Sequence, residues 1–133
     1  MTQELIHSYY EAFNRGDMET FLSLLTENVI HDLNQGQREV GRKAFGKFME
    51  VMNEHYQEKV VDLVIFVSHD GQRAAAEFII EGCYLKTQEG LPLALGQKYR
   101  LPVGAFFAIE GNKISRITNY YNLKDWIEQV SVP

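Results

Sequence analysis

Apolar residues in the first half of the chain recur at three- and four-residue steps, which is the spacing of one buried helical face. Residues 5–13 show it first, with Thr2 as the expected N-cap and Gly16 as the stop. Asp17 stands where it would cap a second, shorter helix. The same spacing predicts a third helix over about 42–55. The helices are therefore expected before any large sheet.

After this third helix the pattern changes to extended segments rich in Val, Ile, Phe and Tyr. Short glycine-containing turns separate them, and short connections predict antiparallel hairpins. Helices first and strands second predict an α+β domain in which a curved antiparallel sheet wraps around the helices. The strands are expected at 59–68, 73–86, 97–110 and 113–122, with a separate short strand at 29–34 and a closing helical segment at 123–130.

Length and charge narrow the classes of function. The 133 residues suit one domain, 1–133. The 13 basic against 18 acidic residues give a net charge of −5 with no basic cluster, which argues against a nucleic-acid partner. No apolar run approaches the roughly 20 residues of a membrane helix, so no membrane partner is expected. With no leader pattern at the N-terminus and a single cysteine, Cys83, we expect the reducing cytoplasm.

The short strand at 29–34 carries the sharpest candidate for chemistry. Asp32 and Asn34 share one face of it, while Val29 and His31 share the other. If Asp32 is buried among apolar neighbours, its pKa rises toward the range useful for proton transfer. The alternative is an exposed carboxylate that bonds the following turn. His31 is expected on the outer face of the sheet.

Other candidate groups point away from metal chemistry. The four histidines lack metal-ligand spacing and there is one cysteine, so no metal site is expected. Tyr9 and Tyr10 suit core packing, each with a hydroxyl that reaches a partner. A sheet face that mixes apolar side chains with isolated amides, carboxylates and phenols is typical of an apolar ligand cavity.

Two stretches of the chain resemble a known family. The segment 8–17, continued by 28–32 and Gly41, resembles the ketosteroid isomerase-like members of the nuclear transport factor 2-like superfamily. The run 106–114, followed by 120–123, resembles that superfamily's final hairpin. The resemblance implies a cone-shaped barrel, with three N-terminal helices packed in a strongly curved, mostly antiparallel sheet. It also implies an apolar cavity, no cofactor and a homodimer.

The resemblance further implies roles for particular residues. Tyr9 matches the tyrosine that donates a hydrogen bond to a developing enolate oxygen, and Asp32 matches the carboxylate that removes and returns the proton. A third group of the isomerases, a protonated acid, falls on Gly104, which has no side chain. The residues expected to bind ligand are Phe13, Asn34, Tyr56, Tyr84, Phe106, Asn119 and Tyr121.

These features predict a cofactor-independent isomerase- or cyclase-type enzyme that moves a proton on a small, mostly apolar carbonyl compound. The SnoaL-type polyketide cyclases of the same superfamily need one acid/base carboxylate, which suits a single Asp32. An epoxide hydrolase-like activity is an alternative interpretation in which Arg100 supplies the cation, but Pro102 follows at the position where that activity requires an acid. The remaining alternative is a non-catalytic module of this fold that binds a small hydrophobe or a protein.

Overall fold

The computed structural model describes residues 1–131, which contain four helices and six strands. None of these helices has the length and apolar character to cross a membrane. In chain order the elements are α1 (Thr2–Arg15), α2 (Met18–Ser23), β1 (Leu25–Asp32), β2 (Arg38–Val40), α3 (Arg42–His55), β3 (Tyr56–Val67), β4 (Arg73–Tyr84), β5 (Lys98–Glu110), β6 (Lys113–Tyr121) and α4 (Leu123–Val130).

One sheet contains all six strands in the order β2-β1-β6-β5-β4-β3. Its neighbours are antiparallel except for β1 and β6, which run parallel. The sheet curls over the helices and stays open, since β2 and β3 are free edges rather than partners. The structure confirms the predicted α+β cone, although the barrel does not close.

A bulge in β3 marks a bend in this edge of the sheet. The register with β4 shifts between Val61 and Val64, and Asp62 within that interval has a φ of 56°. Asp tolerates this left-handed conformation better than most residues, and a bulge increases the local twist of its strand. The first half of β3 faces the helices through Tyr56 and Val60, both buried.

The end of α1 is tied to the sheet by one side chain. The amide nitrogen of Asn14 donates to the Val60 carbonyl at 2.9 Å, and the Val60 N–H donates to the Asn14 carbonyl oxygen at 2.8 Å. Gly16 then ends the helix with a φ of 71°, as predicted. Thr2 does not cap the helix as expected, because its hydroxyl donates to the Gly71 carbonyl at 2.6 Å instead.

Several strand boundaries differ from the predictions. β1 begins at Leu25 rather than at 29, and its register with β6 shifts between Leu25 and Ile30, which accommodates the polar residues 26–28 inside the strand. β1 ends at Asp32, so Asn34 lies in the loop beyond it. β2 was not predicted. By contrast α3 has its predicted bounds, and Asp17 caps α2 by accepting from the Thr20 N–H at 3.1 Å.

Candidate active site

A cavity of about 340 Å³ lies between the helices and the inner face of the sheet. Its size falls in the lower part of the roughly 300–1,000 Å³ range of small-molecule sites. Most of its walls are aromatic or aliphatic, and no lysine or arginine of residues 1–131 lines it. The polar residues in its walls include Tyr9, Tyr10, His31, Asn34, Glu58 and Tyr121.

Most of the residues expected to bind ligand do line this cavity. They come from α1, from the loop after β1, from the start of β3 and from β6, so the fold brings together residues distant in sequence. The structure places Phe13, Asn34, Tyr56, Asn119 and Tyr121 in its walls, together with Tyr9.

Tyr84 and Phe106 do not line the cavity, and for these two the prediction is wrong. Tyr84 is fully buried behind the wall, where it stacks on Tyr56 and donates its hydroxyl to the Pro92 carbonyl at 2.6 Å. Phe106 is 48% exposed on the outer face of the sheet and packs against Tyr120. Alternation along β5 explains this placement, because the residues on either side of Phe106 are fully buried.

Asp32 also lies outside the cavity, and the prediction that it faces inward is wrong. Val29 and His31 fill the inner face of β1, so the next residue points outward. The Asp32 carboxylate accepts from Arg38 Nε at 2.6 Å and from the Thr118 hydroxyl at 2.7 Å. The hydrogen bond from Arg38 lowers the pKa of this carboxyl, where a buried base needs a raised one. Asp32 therefore holds β1 to its neighbours on the outside of the sheet.

His31 occupies the inward position that Asp32 was expected to have. It is 3% exposed rather than on the outer face, so that prediction is wrong as well. Its ring stacks on Phe45 with centroids 4.2 Å apart, and burial lowers its pKa to about 4. The signal was present in the sequence, since Val29 and Leu33 make this the more apolar face of the strand.

Glu58, which the sequence reading missed, is the carboxylic acid that lines the cavity within residues 1–131. It is half-buried by residue area, and the cavity it lines accounts for part of that exposure. Desolvation raises its pKa, while a hydrogen bond from the Tyr99 hydroxyl at 2.5 Å acts in the opposite direction. Glu58 therefore has the environment that was expected for Asp32.

A row across three strands places Glu58 and Tyr99 together. Glu58 of β3 pairs with Gly82 of β4, and Gly82 pairs in turn with Tyr99 of β5. A Cβ on Gly82 would lie 2.3 Å from Cζ of Tyr99. The phenol ring therefore crosses directly over the glycine to reach the carboxylate on the far strand. A glycine inside an apolar strand indicates such a close approach, but not which residues make it.

The cavity also contains phenol and amide groups able to donate hydrogen bonds. Tyr9 is buried against Phe21, with ring centroids 4.4 Å apart, and desolvation raises its pKa, so its hydroxyl stays protonated. Within residues 1–131 the Tyr10 hydroxyl and the Asn34 side-chain nitrogen are enclosed without a hydrogen-bond partner. Such groups are normally satisfied by water or ligand.

In the described part of the chain, residues 1–131, the structure places neither a metal cluster nor an arginine in the cavity. No group of three or more His, Cys, Asp or Glu in residues 1–131 is placed to hold a metal ion. Arg100 lies on the exposed side of β5 and pairs with Glu81 at 3.4 Å. The cation that the epoxide hydrolase-like reading requires is thus outside the cavity.

Comparison with known proteins agrees with this architecture. The chain matches the family model of the SnoaL-like domain over residues 6–117. A crystal structure of a "putative polyketide cyclase" from Pseudomonas putida is 56% identical over 98% of both chains, with a TM-score of 0.97. One of the same description from Xanthomonas campestris is 52% identical over 98% of this chain and 96% of that one, with a TM-score of 0.95. No curated protein matched.

A more distant structure shows how widely the fold is shared. An epoxide hydrolase from M. tuberculosis has a TM-score of 0.74 at 12% identity, covering 97% of this chain and 84% of that one, which is a likeness of fold alone. The family match, by contrast, spans most of the chain and confirms the predicted resemblance. The chain therefore belongs to the SnoaL-like domain family of the nuclear transport factor 2-like superfamily.

Proposed function

We propose that this protein is a cofactor-independent enzyme that moves a proton next to the carbonyl group of a small, mostly apolar compound. The observation that carries the proposal is Glu58, a carboxylic acid whose pKa is raised by desolvation in the wall of a mostly apolar cavity. Removing a proton beside a carbonyl needs a base of raised pKa and a donor for the resulting oxyanion, in a site that limits water.

Glu58 takes the part of the base in this scheme. Its carboxylate accepts the proton from the carbon beside the carbonyl, and the electron pair of the broken C–H bond forms an enolate. In an isomerase-type reaction Glu58 returns the proton to a different carbon. In a cyclase-type reaction the enolate carbon bonds to a second carbonyl of the same molecule, and the proton ends on the new alkoxide.

Tyr9 and Tyr99 support that step in different ways. The protonated Tyr9 hydroxyl donates to the enolate oxygen, and losing one such donor commonly costs about 10²–10³ in rate. Tyr99 is a positioning residue, because its hydroxyl bonds the carboxylate of Glu58 rather than the ligand. Both tyrosines are buried, so the surrounding packing holds their hydroxyls in place.

The relatives favour the cyclase form of the reaction. The structures 56% and 52% identical to this chain both carry the description "putative polyketide cyclase". A polyketide contains several carbonyl groups, which suits both enolate formation and ring closure. A purely binding role for the cavity predicts saturable ligand uptake with no proton transfer.

Proton exchange at a simple ketone tests the proposal without knowledge of the natural substrate. The probe is 2-tetralone in D₂O, whose exchange beside the carbonyl is followed by proton NMR. The wild-type protein is expected to accelerate it, and Glu58→Gln to lose about 10²-fold or more. Asp32→Asn is the matched control, a carboxylate outside the cavity, and should retain the wild-type rate. Exchange that is no faster with the wild type than with Glu58→Gln contradicts the proposal.

We propose in addition that a second copy of the chain covers the outer face of the sheet. Strand register brings Phe66, Ala75 and Phe106 into one outward row. In the next row Val64 and Tyr120 lie at the two ends, with Glu77 and Gly104 between them. The four large members, Val64, Phe66, Phe106 and Tyr120, are 43–58% exposed and form the outer apolar patch. Exposed apolar side chains gathered on one face of a sheet mark interaction sites, and the family resemblance implies a homodimer.

A further inference from the structure

His31 is a second ionisable side chain in the cavity, and the proton transfer proposed above does not use it. Its ring stacks on Phe45 at an interplanar angle of 14°, and the ring of Phe48 meets it edge-on at 4.7 Å between centroids. These contacts fix the plane of the imidazole. The pKa of about 4 keeps it neutral at pH 7, because the loss of hydration outweighs the attraction of the neighbouring Asp32 carboxylate.

The Nδ1 atom of His31 faces the carboxylate of Glu39. Nδ1 lies 3.7 Å from Oε1 of Glu39, and within residues 1–131 both atoms are enclosed without a hydrogen-bond partner. A normal N–H···O bond measures about 2.9 Å, so a shift of about 0.8 Å satisfies both groups at once. Leaving them unpaired carries the penalty of a buried polar group with no partner.

The chemistry of the pair determines where the imidazole proton lies. An ionised carboxylate can only accept a hydrogen bond, and a neutral imidazole carries one N–H. The proton therefore belongs on Nδ1, which faces Glu39. Nε2 then carries the lone pair. Of the two ring nitrogens, only Nδ1 is enclosed without a hydrogen-bond partner within residues 1–131. Since His31 lines the cavity, that lone pair is available to a ligand.

We propose that Glu39 holds His31 in the Nδ1–H tautomer, so that Nε2 accepts a hydrogen bond from a hydroxyl group of the cavity ligand. The inference rests on the proposed function, since it defines the substrate class of the same cavity. The substrate is then an apolar carbonyl compound that also bears a phenolic or alcoholic hydroxyl. His31 contacts the ligand, and Glu39 is a positioning residue that acts through it.

A matched pair of probes, 2-naphthol and naphthalene, tests the ligand-binding part. The wild type is expected to prefer 2-naphthol by roughly five- to tenfold, the value of one hydrogen bond. His31→Phe keeps the aromatic packing and should remove the preference, whereas Asp32→Asn should keep it. Affinities come from 2-naphthol fluorescence, with naphthalene as competitor.

A preference that survives in His31→Phe overturns the inference. If it disappears instead in Glu58→Gln, the hydroxyl is bound by Glu58. The exchange of 2-tetralone, a ketone without a hydroxyl group, is measured separately from this preference, so this inference can fail while the proposed function stands. Conversely, loss of the preference in His31→Phe supports it even if Glu58→Gln retains full exchange.

The tautomer gives a second measurement that needs no ligand. Ring nitrogen shifts from two-bond ¹H–¹⁵N NMR at pH 7 are expected to show the proton of His31 on Nδ1. Glu39→Leu should move population to the Nε2–H form, which a merely structural change at position 39 does not do. The Nε2–H form in the wild type overturns the inference, whether or not His31→Phe folds.

Discussion

One methyl group added at Gly82 should break the link between Tyr99 and Glu58. The new Cβ would lie 2.3 Å from Cζ and 2.6 Å from the hydroxyl oxygen of Tyr99, where ordinary contact begins at 3.4 Å. The ring must therefore move by about 1 Å. It has little room to do so, because Tyr99 is 4% exposed and packs against Trp126. The 2.5 Å hydrogen bond to Glu58 is then lost.

Two costs contribute to the expected loss of stability. Overpacking a filled interior costs about 1–3 kcal/mol. A hydrogen bond to a charged group contributes about 1.5–3 kcal/mol. Because the ring movement that breaks the bond also relieves part of the overlap, the free energy of unfolding for Gly82→Ala should fall by about 2–5 kcal/mol. Tyr99→Phe removes the bond alone and should cost less.

Urea unfolding followed by far-ultraviolet circular dichroism measures this difference. Gly104→Ala is the matched control, since a Cβ there meets nothing within 4 Å. Its free energy of unfolding should stay within about 0.5 kcal/mol of the wild type. A Gly82→Ala variant as stable as Gly104→Ala would refute the crossing of the ring over the glycine. Exchange of 2-tetralone should also fall in Gly82→Ala but not in the control.

Further predictions concern pH, assembly and the end of α1. Because the pKa of Glu58 is raised, the folded state keeps this proton to a higher pH than the unfolded chain does. The free energy of unfolding of the wild type should therefore fall relative to that of Glu58→Gln as pH rises through the folded pKa. A difference in urea unfolding that does not change with pH contradicts this. His31 has a folded pKa of about 4, so as pH falls the unfolded chain takes up this proton before the folded state does. The free energy of unfolding should therefore decrease as pH falls from 6.5 to 4. The loss is on the order of 3 kcal/mol and should be absent in His31→Phe. Phe106→Glu should convert a dimer to a monomer in light scattering, and a wild-type monomer at micromolar concentration would refute the pairing. Asn14→Ala should cost about 1–3 kcal/mol in urea unfolding by leaving the Val60 groups without their partners, and unchanged stability would show that the two bonds contribute nothing.

Local patterns were enough to predict much of the fold. The bounds of α3 and α4 were predicted correctly, and the four long strands of the second half were placed to within three residues of their observed ends. These elements depend on helical periodicity, caps and glycine turns, which involve neighbours a few positions apart. Where such signals conflicted with long-range pairing, as at residues 26–28, the boundary prediction failed.

The candidate site depended on the tertiary structure. A shift of one residue in the register of β1 exchanges its inner and outer faces, so the register decides whether Asp32 or His31 turns inward. The grouping of Glu58, Gly82 and Tyr99 requires two strand registers that join residues 24 and 17 positions apart. Alternation along a strand divides its residues into two sets but does not say which set meets the helices. That choice is made by the burial of whole faces when the sheet curls over α1 and α3, and it places the Glu58 carboxylate in the wall of the cavity.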